Sequence, residues 1–80
     1  MKQVFVELPS IETVKEFVDT ISRFESEFDL LCGRYVVDAK SIMGVLSLNL
    51  AETITLQIYA DEPELSEILA AIKPFLKKEA

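Results

Sequence analysis

The 80-residue chain contains no histidine. No imidazole is therefore available as general base, metal ligand or phosphoryl acceptor. A Ser–His or Cys–His nucleophile pair is excluded with it. Cysteine is almost as scarce, and Cys32 stands alone. It cannot form an internal disulfide, which fits a reducing compartment. One thiol and scattered carboxylates leave no zinc site at any usual spacing. No catalytic residue, metal or cofactor is expected. Basic charge is also short, with 8 Lys and Arg against 14 Asp and Glu and a formal net charge of −6. Nucleic-acid binding rests on a basic footprint, so no nucleic acid is expected as a direct partner, whereas a protein with a basic patch is compatible. No apolar run approaches the roughly 18 residues that span a bilayer. Met1-Lys2-Gln3-Val4 lacks the apolar core of a secretory leader. A cytoplasmic protein without a membrane partner is expected.

What is present is apolar and patterned. Half of the residues are apolar, and the length suits a single domain over residues 1–80. The chain is organised around Lys40-Ser41-Ile42-Met43-Gly44-Val45-Leu46-Ser47-Leu48. A hydroxyl residue opens this stretch and an apolar run follows, which predicts a short helix capped by Ser41. Ile42, Met43 and Leu46, with Val45 beside them, form its expected apolar side.

Residues 3–8 alternate, with Val4, Val6 and Leu8 on one face and Phe5 and Glu7 on the other, which predicts a strand ended by Pro9. Ser10 is then the expected cap of a helix over 11–24, with Glu12 in its first turn. Ile11, Val14, Phe17, Val18, Ile21 and Phe24 form its apolar stripe. Phe28–Cys32 and Tyr35–Asp38 read as strands joined at Gly33-Arg34, a hairpin signal. Glu25, Glu27 and Asp29 alternate as a solvated strand face. Thr53–Tyr59 is the cleanest strand, with Ile54, Leu56 and Ile58 on its buried face. Asp61 and Glu64 suggest a capping box, with Pro63 in the first turn of the last helix. Leu65, Ile68, Leu69, Ile72, Phe75 and Leu76 are that helix's stripe, Lys73, Lys77 and Lys78 suit its C-terminal end, and Pro74 is expected to kink that helix or to end its regular part. The order βαββαβα predicts an α+β fold, an open-faced two-layer sandwich in which a four-stranded antiparallel sheet carries three helices on one face.

That order, with the 40–48 stretch at its middle, resembles the phosphocarrier protein HPr family of the bacterial sugar phosphotransferase system. The stretch is close to the family's regulatory-serine segment, and the likeness runs ungapped from about Phe24 through Leu48. In the family, a histidine caps the first helix and is followed by an arginine and a proline. Counting back without gaps, the histidine position falls on Ser10, the arginine on Glu12 and the proline on Thr13. Every element of the phosphocarrier motif is thus absent. Ser10 retains a capping side chain without a nucleophile of useful pKa, and Glu12 puts negative charge where a phosphoryl group needs a cation. The resemblance further implies that Ser41 is the target of an ATP-dependent serine kinase, and that the phosphoserine form meets a transcriptional regulator in catabolite repression and the regulation of sugar transport. Lys40, Ile42 and Met43 would then dock the partner.

Three other readings stand beside this one, among them a degenerate domain whose exposed sheet face mediates self-association. Ser41 is an N-cap and its apolar neighbours are core and nothing else. Alternatively, the chain is a phosphocarrier with a non-histidine acceptor such as Ser10. Cys32 reads as a small core hydrophobe, and Tyr35 and Tyr59 as residues of the wet sheet face. The sequence leaves the oligomeric state open.

Overall fold

The computed structural model of the protein describes residues 1–77. Its elements are β1 (Lys2–Val6), α1 (Ile11–Ile21), β2 (Glu27–Cys32), β3 (Tyr35–Asp38), α2 (Ile42–Leu46), β4 (Ile54–Tyr59) and α3 (Glu64–Ala71), followed by a 3-10 turn at Lys73–Phe75. The strands form one antiparallel sheet in the order β1-β4-β2-β3. The expected α+β sandwich is present, with its helices on one side of the sheet.

Register explains which face is dry. Val6 pairs with Ile54, Val4 with Leu56, and Leu56 in turn with Leu30, while Ile58 pairs with Phe28. Ile54, Leu56, Ile58, Leu30 and Phe28 are all buried under the helices. Because side chains alternate along a strand, Phe5, Thr55, Leu31 and Val36 fall on the opposite, uncovered face. From α1 the core receives Val14, Phe17, Val18 and Ile21, and from the chain's end Ile68, Ile72 and Phe75. Phe17 and Phe75 meet edge to face, with centroids 5.4 Å apart and planes at 82°, a favoured aromatic geometry. The hairpin turn at Gly33-Arg34 uses a positive φ of 59° at Gly33 alone, as a two-residue loop with glycine first requires.

Several expectations are corrected by the structure. The first strand spans Lys2–Val6 rather than 3–8, although Leu8 is buried as expected. The first helix ends at Ile21, not at 24. Its last turn tightens, with Arg23 and Phe24 N–H groups donating to the carbonyls three residues back. Ile11 is exposed instead of lying in the stripe. At 3.6 residues per turn it falls roughly 70° from the middle of the Val14–Phe17–Val18–Ile21 arc. The Asp61–Glu64 capping box is not made: Pro63 is the N-cap and caps nothing with its side chain. Glu62 takes that role, accepting from the Ser66 N–H at 2.7 Å, and Glu64 accepts instead from the Ser26 hydroxyl. Leu65 and Leu69 are only partly buried. Pro74 does end the regular helix, within the 3-10 turn. Lys78 lies outside the described residues.

Beyond that turn the chain runs along β1. Glu7 N–H donates to Phe75 O at 2.8 Å and Lys77 N–H to Phe5 O at 2.9 Å, so the C-terminal segment covers part of that edge. Phe17→Ala removes a ring from the middle of the core and is expected to cost about 3–5 kcal/mol. Urea denaturation followed by circular dichroism checks this, and a loss below about 1 kcal/mol would show that the Phe17–Phe75 contact is not central.

Candidate functional site

The end of β3 builds the candidate site. The Asp38 side chain accepts from the Lys40 N–H at 2.9 Å, and its backbone carbonyl accepts from the Ser41 N–H at 3.0 Å. This Asx-type turn breaks the strand and aims the chain into α2. Ser41 is extended, with φ −95° and ψ 108°. Its Oγ accepts from the Gly44 N–H at 3.1 Å, while its carbonyl accepts from Val45 N–H at 2.9 Å. The predicted N-cap is therefore formed. At the other end, Ser47 Oγ donates to Gly44 O at 2.6 Å. Gly44 sits close to the cap: a Cβ there would lie 3.3 Å from Ser41 Oγ and 3.4 Å from Val37 Cβ, a tight fit.

The apolar side of α2 differs from expectation. Val45 is the buried residue and Leu46 packs partly against the core. Ile42 is 38% exposed and Met43 78% exposed. A helix of five residues makes little more than one turn, so it has room for one inward side chain. Ser41, Ile42 and Met43 thus form a continuous exposed segment with a hydroxyl at one end and a flexible thioether at the other. Lys40 is placed elsewhere. Its Nζ donates to Phe24 O at 2.7 Å and lies 5.6 Å from the centroid of the Phe28 ring. It ties the α1–β2 connection to the end of β3 rather than reaching forward to Ser41.

Ser10 caps α1. Its Oγ accepts from Thr13 N–H at 3.1 Å and lies 2.9 Å from the Thr13 hydroxyl. Ser10 and Thr13 are half-buried, and Glu12 is exposed. No cation stands in this turn: Glu12 is its charged residue.

Cys32 is buried against the Asn49 carbonyl at 3.6 Å and Glu52 Oε2 at 3.4 Å. Burial first, and the Glu52 carboxylate second, push the thiol above its ordinary pKa. A neighbouring acid and an apolar setting are the opposite of what activates a thiol. The Glu52 contact joins residues distant in sequence, so no local pattern could have shown it. Tyr59 lies on the uncovered sheet face as expected and donates to Asp29 Oδ2 at 3.0 Å. Tyr35 is exposed too, but it pairs with the buried Cys32 and so belongs to the helix-covered side at the open edge. Glu25 and Glu27 are exposed and Asp29 half-buried. Among the described residues no group of three or more Cys, Asp or Glu side chains could hold a metal ion.

This architecture, a four-stranded antiparallel sheet with three helices on one face, is that of one known class. The family model for the PTS HPr component phosphorylation site matches residues 12–78. The chain belongs to the HPr family of the phosphotransferase system. The crystal structure of HPr-C-His from Thermoanaerobacter tengcongensis is similar at 30% identity, with a TM-score of 0.75, covering 92% of this chain and 89% of that one. A phosphocarrier protein HPr from Bacillus anthracis is similar at 26% identity, with a TM-score of 0.69, covering 95% and 96%. The family match begins at Glu12, so Ser10 precedes it.

Two outcomes follow from this geometry. Alanine ordinarily improves on glycine inside a helix by about 1 kcal/mol, yet Gly44→Ala is expected to bring no gain in thermal stability, because its methyl crowds the Ser41 cap. A rise in melting temperature would mean that the cap yields freely. The raised thiol pKa makes the neutral form of Cys32 the favoured one in the folded protein, so its contribution to stability is complete below the unfolded thiol value of about 8.5 and is lost as pH rises through the higher folded value. Alkylation of Cys32 at pH 8 should accordingly be slower than that of a free thiol, and Glu52→Gln should speed it; timed mass spectrometry reads both.

Proposed function

We propose that this HPr-family domain is a non-enzymatic regulatory or protein-interaction module that acts through the Ser41 turn. The observation that carries the reading is the exposed run Ser41-Ile42-Met43, held rigid from beneath by Val45 and by two serine caps. A hydroxyl that is both exposed and fixed suits a kinase. A phosphate on it would add about −2 charge beside the first-turn N–H groups of Ile42 and Met43, which have no acceptor within the helix. Met43 and Ile42 supply an adaptable apolar contact for a partner. The partners in this reading are a serine kinase and a transcriptional regulator, in a cytoplasmic setting.

Charge adds one condition. The Lys40 ammonium is engaged at Phe24 O, and Asp38 is the acidic residue at the turn. Recognition of a phosphorylated Ser41 therefore depends on cations brought by the partner, not on Lys40. Ser10 stands where the family's phosphoacceptor histidine would be, and its hydroxyl is shared with Thr13. That arrangement supports loss of the phosphocarrier step in preference to its transfer to Ser10.

The test is incubation of the protein with an HPr serine kinase and ATP, and separately with phosphoenolpyruvate and the first enzyme of the phosphotransferase pathway. Phosphate on Ser41 from the kinase, abolished in Ser41→Ala, and no acid-labile adduct from phosphoenolpyruvate are expected. Phosphate on Ser10 from phosphoenolpyruvate would overturn the reading in favour of an unusual carrier. Neither modification would leave Ser41 with its structural role alone and sink the proposal.

A further inference from the structure

The uncovered face of the sheet is a second surface, distinct from the Ser41 turn in composition. Strand register places Phe5, Thr55, Leu31 and Val36 in one row across all four strands. Phe5 is 56% exposed and Val36 61% exposed, and Leu31 lies half-buried between them. The next row outward is Gln3, Gln57, Asp29 and Asp38, and beyond it Tyr59 pairs with Glu27. An apolar band and an acidic band therefore run side by side.

At the acidic side the surface is hollow. A depression of about 340 Å³ is lined by Glu25, Glu27, Phe28, Asp29, Asp38 and Lys40. Its one cation, Lys40, is directed to the Phe24 carbonyl and the Phe28 ring. Among the described residues the ion pair present is Arg23–Asp19 on α1, so no Lys or Arg neutralises Asp29, Asp38 or Glu27. Asp29 Oδ2 accepts from Tyr59 and Asp38 Oδ1 from Lys40 N–H, which fixes both carboxylates in place with a second oxygen each still to be satisfied.

We infer that this face docks a basic protein segment, in which aliphatic side chains lie on the Phe5–Leu31–Val36 band while an adjacent arginine or lysine enters the hollow between Glu27, Asp29 and Asp38. Charge selects this occupant. Carboxylates fixed beside apolar surface attract a cation and orient it, and a guanidinium can satisfy two carboxylate oxygens at once. A second copy of the chain would bring another net charge of −6, with 14 acidic residues against 8 basic ones, and so opposes docking on a carboxylate-lined surface. Nucleic acid and anionic lipid are repelled for the same reason. The surface and its occupant are independent of phosphorylation at Ser41.

The probe is a short peptide alternating leucine and arginine, titrated into the ¹⁵N-labelled protein, with leucine–glutamate and leucine–serine peptides as comparisons. Amide shifts are expected at Phe5, Asp29, Leu31, Val36 and Thr55, from the arginine peptide alone, and weakening as salt rises. Asp29→Asn and Asp38→Asn should each weaken binding about two- to fivefold, and Phe5→Ser should weaken it without lowering the melting temperature, since Phe5 is outside the core. Sedimentation should find a monomer across the titrated concentrations. The inference is overturned by equal binding of the glutamate peptide, by shifts confined to the Ser41 turn, by the absence of shifts, or by self-association through this face.

Discussion

Ile54, Leu56 and Ile58 stand at the centre of the sheet, and the other elements are placed by what these three side chains require. β4 is the last strand in the chain but lies between β1 and β2, so neither neighbour is complete until it arrives. Its inner residues are wholly buried, and each sits in a row completed by Val6, by Val4 with Leu30, or by Phe28. Such a row has to be covered. α1 does so with Phe17 and Ile21, α3 and its 3-10 extension with Ile68, Ile72 and Phe75. Eighty residues supply enough apolar surface for one dry face and not for two. The other face therefore meets water, or a partner.

The Ser41 turn inherits its rigidity from this arrangement. β3 is an edge strand of four residues, too short to hold a site unaided. It is held at its far end by the Asp38 turn and by Lys40, whose ammonium reaches back to Phe24 and Phe28. Phe28 is itself paired with Ile58. The central row and the exposed turn are thus mechanically continuous: Ile58 supports Phe28, Phe28 supports Lys40, and Lys40 adjoins Ser41. Val45 closes the same link from the helical side, since it is the α2 residue that enters the core. The exposure of Ile42 and Met43 follows from the burial of Val45, because a single turn cannot direct all four apolar residues inward.

Elements with several repeats of their period were legible in the sequence. β4 alternates over its whole length and α1 carries its stripe through three turns, so type and buried face both follow from spacing. The two serine caps were legible for a similar reason, a hydroxyl just before an apolar run. Features set by distant partners were not. Nothing local tells Lys40 to bond Phe24 or Cys32 to meet Glu52. Around Pro63, Asp61, Glu62 and Glu64 offer three carboxylates to one helix start, and packing decided for Glu62 because Glu64 is drawn to Ser26. Within α2 the pattern was too brief to identify Val45 as the inward residue.

The two serines at helix starts show how the same local chemistry reaches different outcomes. Both accept a backbone N–H three residues on, at 3.1 Å. Ser10 does so beside a second hydroxyl, half-buried, with Glu12 in the same turn. A phosphate there would displace the Thr13 contact and face a carboxylate. Ser41 does so in the open, above a glycine, with Met43 exposed on the same turn. A phosphate there would keep the first-turn amides and gain a neighbouring apolar contact for recognition. The chain has no histidine, and this physical asymmetry between its two capping serines supports the proposed role for Ser41 over one for Ser10.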